Sequence, residues 1–261
     1  MNMLFRISWR NIWRNKVRSL VVIFAVIIGL FGGLASMSLF NGMAQQRIRT
    51  AIANEIAHIQ LHHPDFLESK ESKFTIDSKI TGKIQQLEAV EGTSARLVLT
   101  GMASTASQGA GLDIVGIDPS KETKVTDLHK KLVEGNYLNS DRKNSILIGK
   151  TLADKLNAKI KSKIILTFQD KEGNITGAAF RVTGIFDTGN QMFEQAQVFV
   201  QKNDLERIGN FPAEKVHEIA LKLSDGENVE AMASKISDFA PDAKVQTWKE
   251  ISPSLALTGD L

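Results

Sequence analysis

The sequence predicts an α+β fold: an N-terminal transmembrane helix followed by a periplasmic domain of two strand–helix–strand units with an inserted β-rich subdomain. Three observations lead there. An uncharged apolar run long enough to span a bilayer lies near the N-terminus. A strand–helix–strand pattern follows it and recurs near the end of the chain. The stretch between the two is dominated by strand patterning. At 261 residues, 43% hydrophobic, 23% charged and with a mean hydropathy of −0.10, the chain is neither a polytopic membrane protein nor wholly disordered. It contains no cysteine, which removes disulfides, thiolate metal sites and thiol nucleophiles.

Residues 1–18 carry Arg6, Arg10, Arg14, Lys16 and Arg18 and no acid, leaving 27 basic and 29 acidic residues for the remainder. The net charge of +3 therefore belongs to one short segment, and no basic face for nucleic acid is indicated. Phe5, Trp9, Ile12, Trp13 and Val17 fall on one helical stripe, with the arginines spaced by four beside it. Tryptophan favours the membrane–water boundary and arginine favours anionic headgroups. Residues 1–18 thus read as a cytoplasmic amphipathic helix, with Arg6, Trp9, Arg10, Trp13, Arg14 and Arg18 at the membrane interface.

From Ser19 to Gln46 no residue is charged. Leu20–Phe40, at 1.5 Å per residue, spans about 31 Å, matching a bilayer core of about 30 Å. Residues 19–44 are read as the transmembrane helix, and Gly29, Gly32 and Gly33 would let another helix approach closely in lipid. The heavier positive flank keeps the N-terminus cytoplasmic and the bulk of the chain outside. A cleaved signal peptide ending near Gly33-Leu34-Ala35 is the competing reading, although the apolar run exceeds the usual length of such a segment.

Residues 44–56 continue as helix. AHIQLHH (57–63) alternates as a strand, Ile76–Val90 has helical spacing with Asp77 or Ser78 as cap, and ARLVLT (95–100) is a strand. The second unit comprises a strand at Glu218–Leu223, a helix at Asn228–Phe239 and a strand at Ala243–Trp248. These define two halves of a ferredoxin-like layer at 45–103 and 213–252 around an insertion at 104–212, with 253–261 following them. Inside the insertion, strands are expected at 112–118, 144–149, 163–168, 178–186 and 197–200, and helices at Lys150–Leu156 and Asn203–Ile208. Lys171, Glu172, Gly173 and Asn174 form a hairpin tip.

Chemical motifs are sparse. Gly149-Lys150-Thr151 joins a strand to a helix, but Asn144 stands where a Walker A loop requires glycine. His58 and His62 share a face with Gln60 and read as a solvated strand edge. His129 and His217 stand alone, and a transition-metal site would want a further ligand. Asp187-Thr188-Gly189-Asn190 reads as a turn. No catalytic, metal or cofactor site is assigned, and the chain is not expected to be an enzyme.

Taken in order, WRNIWRNKVRS, the spanning run, HIQLHHPDF, VGIDP, LVEGNYL, SILIGKTLADKLNAKIKSKIIL and FRVTGIFDTGN followed by QVFV resemble the permease subunits of MacB-type ABC exporters, the group that includes LolC/LolE-like and FtsX-like proteins. The resemblance covers residues 5–250. It implies a bacterial inner-membrane permease, a dimer of two copies or paralogues, working with a separate cytoplasmic ATPase. It also implies a periplasmic domain between the first and second of four membrane helices, with ATP-driven motion passed outward through the membrane. On that basis this chain is the first part of a longer protein. The LolC/LolE side of the group implies lipoprotein release, with lipoprotein cargo or a periplasmic chaperone as partner at the 171–174 hairpin. That hairpin is shorter than the chaperone-hooking one and has no proline. A MacB-like efflux or secretion permease and a single-pass periplasmic binding or scaffold module are the alternatives. A retained anchor predicts that N-terminal sequencing of the protein extracted from membranes finds residues upstream of Ser36. A mature chain beginning at Ser36 would instead identify a cleaved signal.

Overall fold

A computed structural model describes residues 3, 9, 14, 16–139, 142–224 and 228–259. The chain divides into two compact units, one comprising the N-terminal part to Ile48 with the residues from Leu257, the other running Arg49–Ala256.

The first unit is dominated by helix α1, Lys16–Ala51. Over residues 20–40 it carries no charge and is exposed around the whole circumference, including Phe24, Ile28, Phe31, Leu34 and Phe40. A helix that is hydrophobic on every side and uncovered by protein is matched to lipid rather than to water. Lys16–Ile56 is long and apolar enough to cross a membrane.

The second unit begins with the end of α1 and a wider π turn, Ile52–Ile56. It continues with β1 (Ile59–His62), α2 (Phe66–Ser69), β2 (Ile76–Asp77), α3 (Ile80–Ile84), β3 (Val90–Ser104), β4 (Gly109–Ile117), α4 (Pro119–Glu122), β5 (Leu132–Gly135), β6 (Ser145–Gly149), α5 (Lys150–Leu156), β7 (Lys163–Gln169), β8 (Ile175–Phe186), α6 (Gln191–Ala196), β9 (Gln197–Gln201), α7 (Lys202–Gly209), β10 (Lys215–Val216), β11 (Glu218–Leu223), α8 (Val229–Phe239), β12 (Lys244–Thr247), α9 (Trp248–Ile251) and the first turn of α10 (Pro253–Gly259).

Two strand assemblies share β3. On one side the order is β12-β1-β11-β3, with every neighbouring pair antiparallel. Alternation gives this layer two chemically distinct faces. Ile59, Leu61, Ile219 and Leu221 point to an apolar core completed by Ile84 and Ile236, while Gln60, His62, Glu218 and Arg96 lie on the other face. On the other side β3 pairs with β4, β4 with β9, β9 with β6, β6 with β8, β8 with β7, and β7 again with β3. Six strands therefore close into a ring with no free edge among them. Leu97, Ile114, Ile146, Ile164, Leu166, Phe180 and Val198 form its apolar core. Strand β3 runs unbroken from Val90 to Ser104: Val90–Arg96 face β11, and Leu97–Ser104 face β4.

Most expected elements form where the patterning places them. The helical reading of Ile76–Val90 is corrected: only Ile80–Ile84 is helical. Ile76 pairs with Val216, and Ser78 N–H donates to Glu214 O. Short turns bring the chain to Val90, the start of β3. Tertiary pairing outweighs a helical periodicity weakened by Gly82. Neither Asp77 nor Ser78 is the cap, which is Lys79.

Candidate functional site

Of the residues expected at the membrane interface, Arg18 lies on α1. Trp9, Arg14 and Arg18 are helical and exposed, whereas Arg6, Arg10 and Trp13 lie outside the described residues. Gly29, Gly32 and Gly33 are helical, and nothing lies within 4 Å of where their Cβ atoms would stand. The tip Lys171–Asn174 is exposed. Its turn is braced by the Asp170 carboxylate, which accepts from the N–H groups of Glu172 and Asn174 at 2.9 and 2.8 Å. Ser72 Oγ donates to Asp170 O and Lys171 N–H to Gly209 O.

Where the chain leaves α1, three ties fix it to the body. Asp127 N–H donates to Ala53 O at 2.7 Å. Asn190 Nδ2 donates to both oxygens of the Glu55 carboxylate at 3.0 Å. Gln60 Nε2 donates to Ile56 O at 2.8 Å. Asn190 can do this because its Oδ1 simultaneously caps α6, accepting from Phe193 N–H. The turn read at 187–190 is thus also a tether. Ala57, fully buried at φ 59°, makes the reversal into β1. Such a backbone costs on the order of 1–3 kcal/mol for a non-glycine residue and persists only where its surroundings fix it.

Beneath these ties lies a charged cluster. Asp118 caps α4 by accepting from Ser120 N–H, and Pro119 opens the helix. That geometry delivers Glu122, 0% exposed, to Arg96 on β3. Arg96 Nε and Nη2 donate to the two Glu122 oxygens at 3.0 and 2.6 Å, and Nη1 donates to Glu218 Oε1 at 2.6 Å. Ser94 and Thr126 hydroxyls also donate to Glu122. Burial alone would weaken the hold of the guanidinium on its proton, but the two carboxylates reverse this and raise its pKa. Burial likewise pushes Glu122 up, but Arg96 and the hydroxyls win and hold its carboxyl below the usual range. Both groups are charged at neutral pH.

The histidine expectations are corrected. Strand β1 is interior to the sheet, between β11 and β12, and His62 is 2% exposed. Its Nε2 lies 2.9 Å from Gln60 Oε1 and 3.9 Å from Glu218 Oε2. His217 is fully buried rather than alone: Val98 N–H donates to its Nδ1, its Nε2 lies 3.0 Å from Ser72 O, and it stacks with Phe66. Accepting at Nδ1 assigns the proton to Nε2, which then donates to Ser72 O. Gly149-Lys150-Thr151 encloses a carboxylate. Thr151 Oγ1 donates to Glu194 Oε2 at 2.6 Å, and a Cβ on Gly149 would stand 2.4 Å from Glu194 O. The space a phosphate would need is filled by the protein's own acid. Among the described residues, no group of three or more His, Asp or Glu side chains could hold a metal ion.

The profile of the MacB-like periplasmic core domain matches residues 19–239, most of the chain. The protein belongs to the MacB-like periplasmic core domain family. This membership supports an ABC-transporter permease role and, with α1, fits a membrane-anchored protein carrying a periplasmic domain. Among solved structures, the periplasmic region of MacB from Actinobacillus actinomycetemcomitans aligns with a TM-score of 0.54 at 11% identity, covering 82% of this chain and 98% of that one. The extracellular domain of the noncanonic ABC-type transporter YknZ from Gram-positive bacteria aligns at 0.50 and 15% identity, covering 73% and 99%. At these identities the likeness is one of fold. No curated protein matches the sequence.

Two outcomes test the buried polar groups of this MacB-like domain. Arg96→Met leaves Glu122 and Glu218 buried without their cation and should cost about 3–5 kcal/mol. Replacing Arg96, Glu122 and Glu218 together by apolar residues should recover most of that loss in denaturant unfolding of the detergent-solubilised protein. Burial pushes His217 from 6.5 down to about 4 in the folded state. The unfolded chain therefore takes the proton first. Stability contributed by neutral His217 is complete above about pH 6.5 and falls by about 3 kcal/mol as pH drops towards 4. His217→Gln should flatten that stretch of the stability–pH curve.

Proposed function

We propose that this chain is the part of a MacB-type ABC exporter permease that turns movement of a membrane helix into movement of a periplasmic body. ATP is hydrolysed by a separate cytoplasmic subunit, and the permease works as a dimer of two copies or paralogues in the bacterial inner membrane, N-terminus inside. The observation that carries this reading is the anchored end of α1. Helical turns continue to Ile56, and the exit is held by Ala53 O, Glu55 and Ile56 O. A helix ending in a flexible linker would lose any tilt or twist there. One tied at three points to a closed strand ring and its neighbouring layer can pass it on.

In this reading Arg6, Trp9, Arg10, Trp13, Arg14 and Arg18 hold the cytoplasmic foot at the lipid surface, and Gly29, Gly32 and Gly33 face another membrane helix. The segments 45–103 and 213–252 are the porter-like halves around the 104–212 subdomain, a layout supported by the β12-β1-β11-β3 order. Cargo release is assigned to lipoproteins, on the likeness of HIQLHHPDF and GIFDTGN to the LolC/LolE side of the group. The braced, exposed tip Lys171–Asn174 is the surface offered to a periplasmic partner. Inserting a Gly-Ser segment between Arg49 and Ala53 of the complete permease should abolish export while leaving folding and ATPase association unchanged, read by lipoprotein release from spheroplasts and by co-purification. Export at the normal rate from that variant would overturn the lever.

A further inference from the structure

Three local costs coincide where α1 ends. The helix opens into the π turn Ile52–Ile56, and Ala57 N–H reaches five residues back to Ile52 O at 3.1 Å. Turns this wide are rare and concentrate at functional sites. Ala57 then takes φ 59° and ψ −170°, a backbone open almost only to glycine. Asn54, 3% exposed, donates Nδ2 to Thr50 O, while its Oδ1 is buried with no hydrogen-bond partner among the described residues. A bare acceptor and a strained backbone within four residues both count against this conformation. It persists because its surroundings hold it.

The segment 125–127, which follows α4, does much of the holding. Val125 packs with Ala57 and Ala220 in a small apolar cluster. Asp127 N–H donates to Ala53 O at 2.7 Å. Between them, Thr126 fastens the segment to the buried ion cluster. Its Oγ1 donates to Glu122 Oε1 at 2.9 Å, and its N–H donates to Glu122 O at 2.8 Å. The clasp is thereby fixed to the same carboxylate that Arg96 grips.

Ala53 O is the decisive acceptor. In an α-helix the N–H of Ala57 would donate four residues back, to that oxygen. Asp127 N–H occupies it instead, and Ala57 N–H goes to Ile52 O. Two helical registers therefore compete for one carbonyl. When Asp127 lets go, the α-helical bond can form and the turn tightens by one residue. Such a step rotates the upstream helix by about 100° and shifts it by about 1.5 Å relative to Ala57.

We propose that Ile52–Ala57 is a two-position register switch, latched in its π form by Asp127 and moved to the α form when α1 is twisted or drawn. As a step in transmission it rests on the lever reading, but its test does not. The measurement is hydrogen–deuterium exchange of the full chain in a neutral detergent, read at the Asp127 amide. A one-residue shift exposes little surface, so this exchange should be nearly independent of low urea, while exchange at Ile148 in the ring core follows global unfolding. Ala57→Gly removes the strained backbone and should slow Asp127 exchange about fivefold, the relief outweighing one lost methyl contact. Deleting Ala53 places Ile52 four residues before Ala57, so their hydrogen bond becomes α-helical. That variant should melt cooperatively with the Asp127 amide unprotected. The switch is overturned by a urea slope at Asp127 equal to that at Ile148, by exchange no slower in Ala57→Gly, or by loss of cooperative melting on deleting Ala53. These readouts involve no ATPase and no cargo, so they fail with the switch alone, whereas the Gly-Ser insertion between Arg49 and Ala53 fails with the lever.

Discussion

The Arg96 guanidinium adds a buried ionic tie between segments that strand pairing brings beside β3. It stands on β3 at the last position paired with β11, takes Glu218 from that neighbouring strand, and reaches Glu122 on the short helix that follows β4. Three stretches far apart in sequence are thereby joined in a place from which water is excluded. Buried ionic groups of this kind contribute little net stability over a well-packed apolar alternative, but they penalise any arrangement that separates them. Their effect is on which arrangement forms. Register between β3 and β11 is also set by alternation, since a slip of one residue would turn Ile219 and Leu221 out of the helix-covered core.

The polar side of the layer and the exit from the membrane helix depend on that arrangement. Gln60 donates to Ile56 O four residues back, and its Oε1 meets His62 Nε2, which also faces Glu218. The π turn, the reversal at Ala57 and the Glu55–Asn190 contact are features of one connected region.

Much of this was legible in the sequence where one local rule decided the outcome. Lys150–Leu156 and Val229–Phe239 carry clear helical spacing, the latter with Asn228 as its cap, and Glu218–Leu223 alternates cleanly. The unbroken apolar run announced α1. Partners remote in sequence were not legible. Ile76 looks like the first turn of a helix until Val216 takes it into a strand pair. His62 looks like part of a solvated strand edge, and His217 looks isolated, because the segments that pack on them are far away along the chain. Helix α6 escaped notice because its signal is a single cap, Asn190, in a segment whose turn residues dominate. Arg96 left one trace: a charge inside an otherwise apolar strand, which in a buried sheet requires a counter-charge. The identity of that counter-charge could be found only in three dimensions.

The double membership of β3 has a consequence for how such a protein can be cut or rearranged. Its first half completes a sheet and its second half completes a ring, with no loop between them at which one module could be excised. Removing the ring would leave the sheet's fourth strand as a frayed stub, and grafting the ring elsewhere would carry half of the sheet's edge with it. The two are inherited, swapped or lost as one piece.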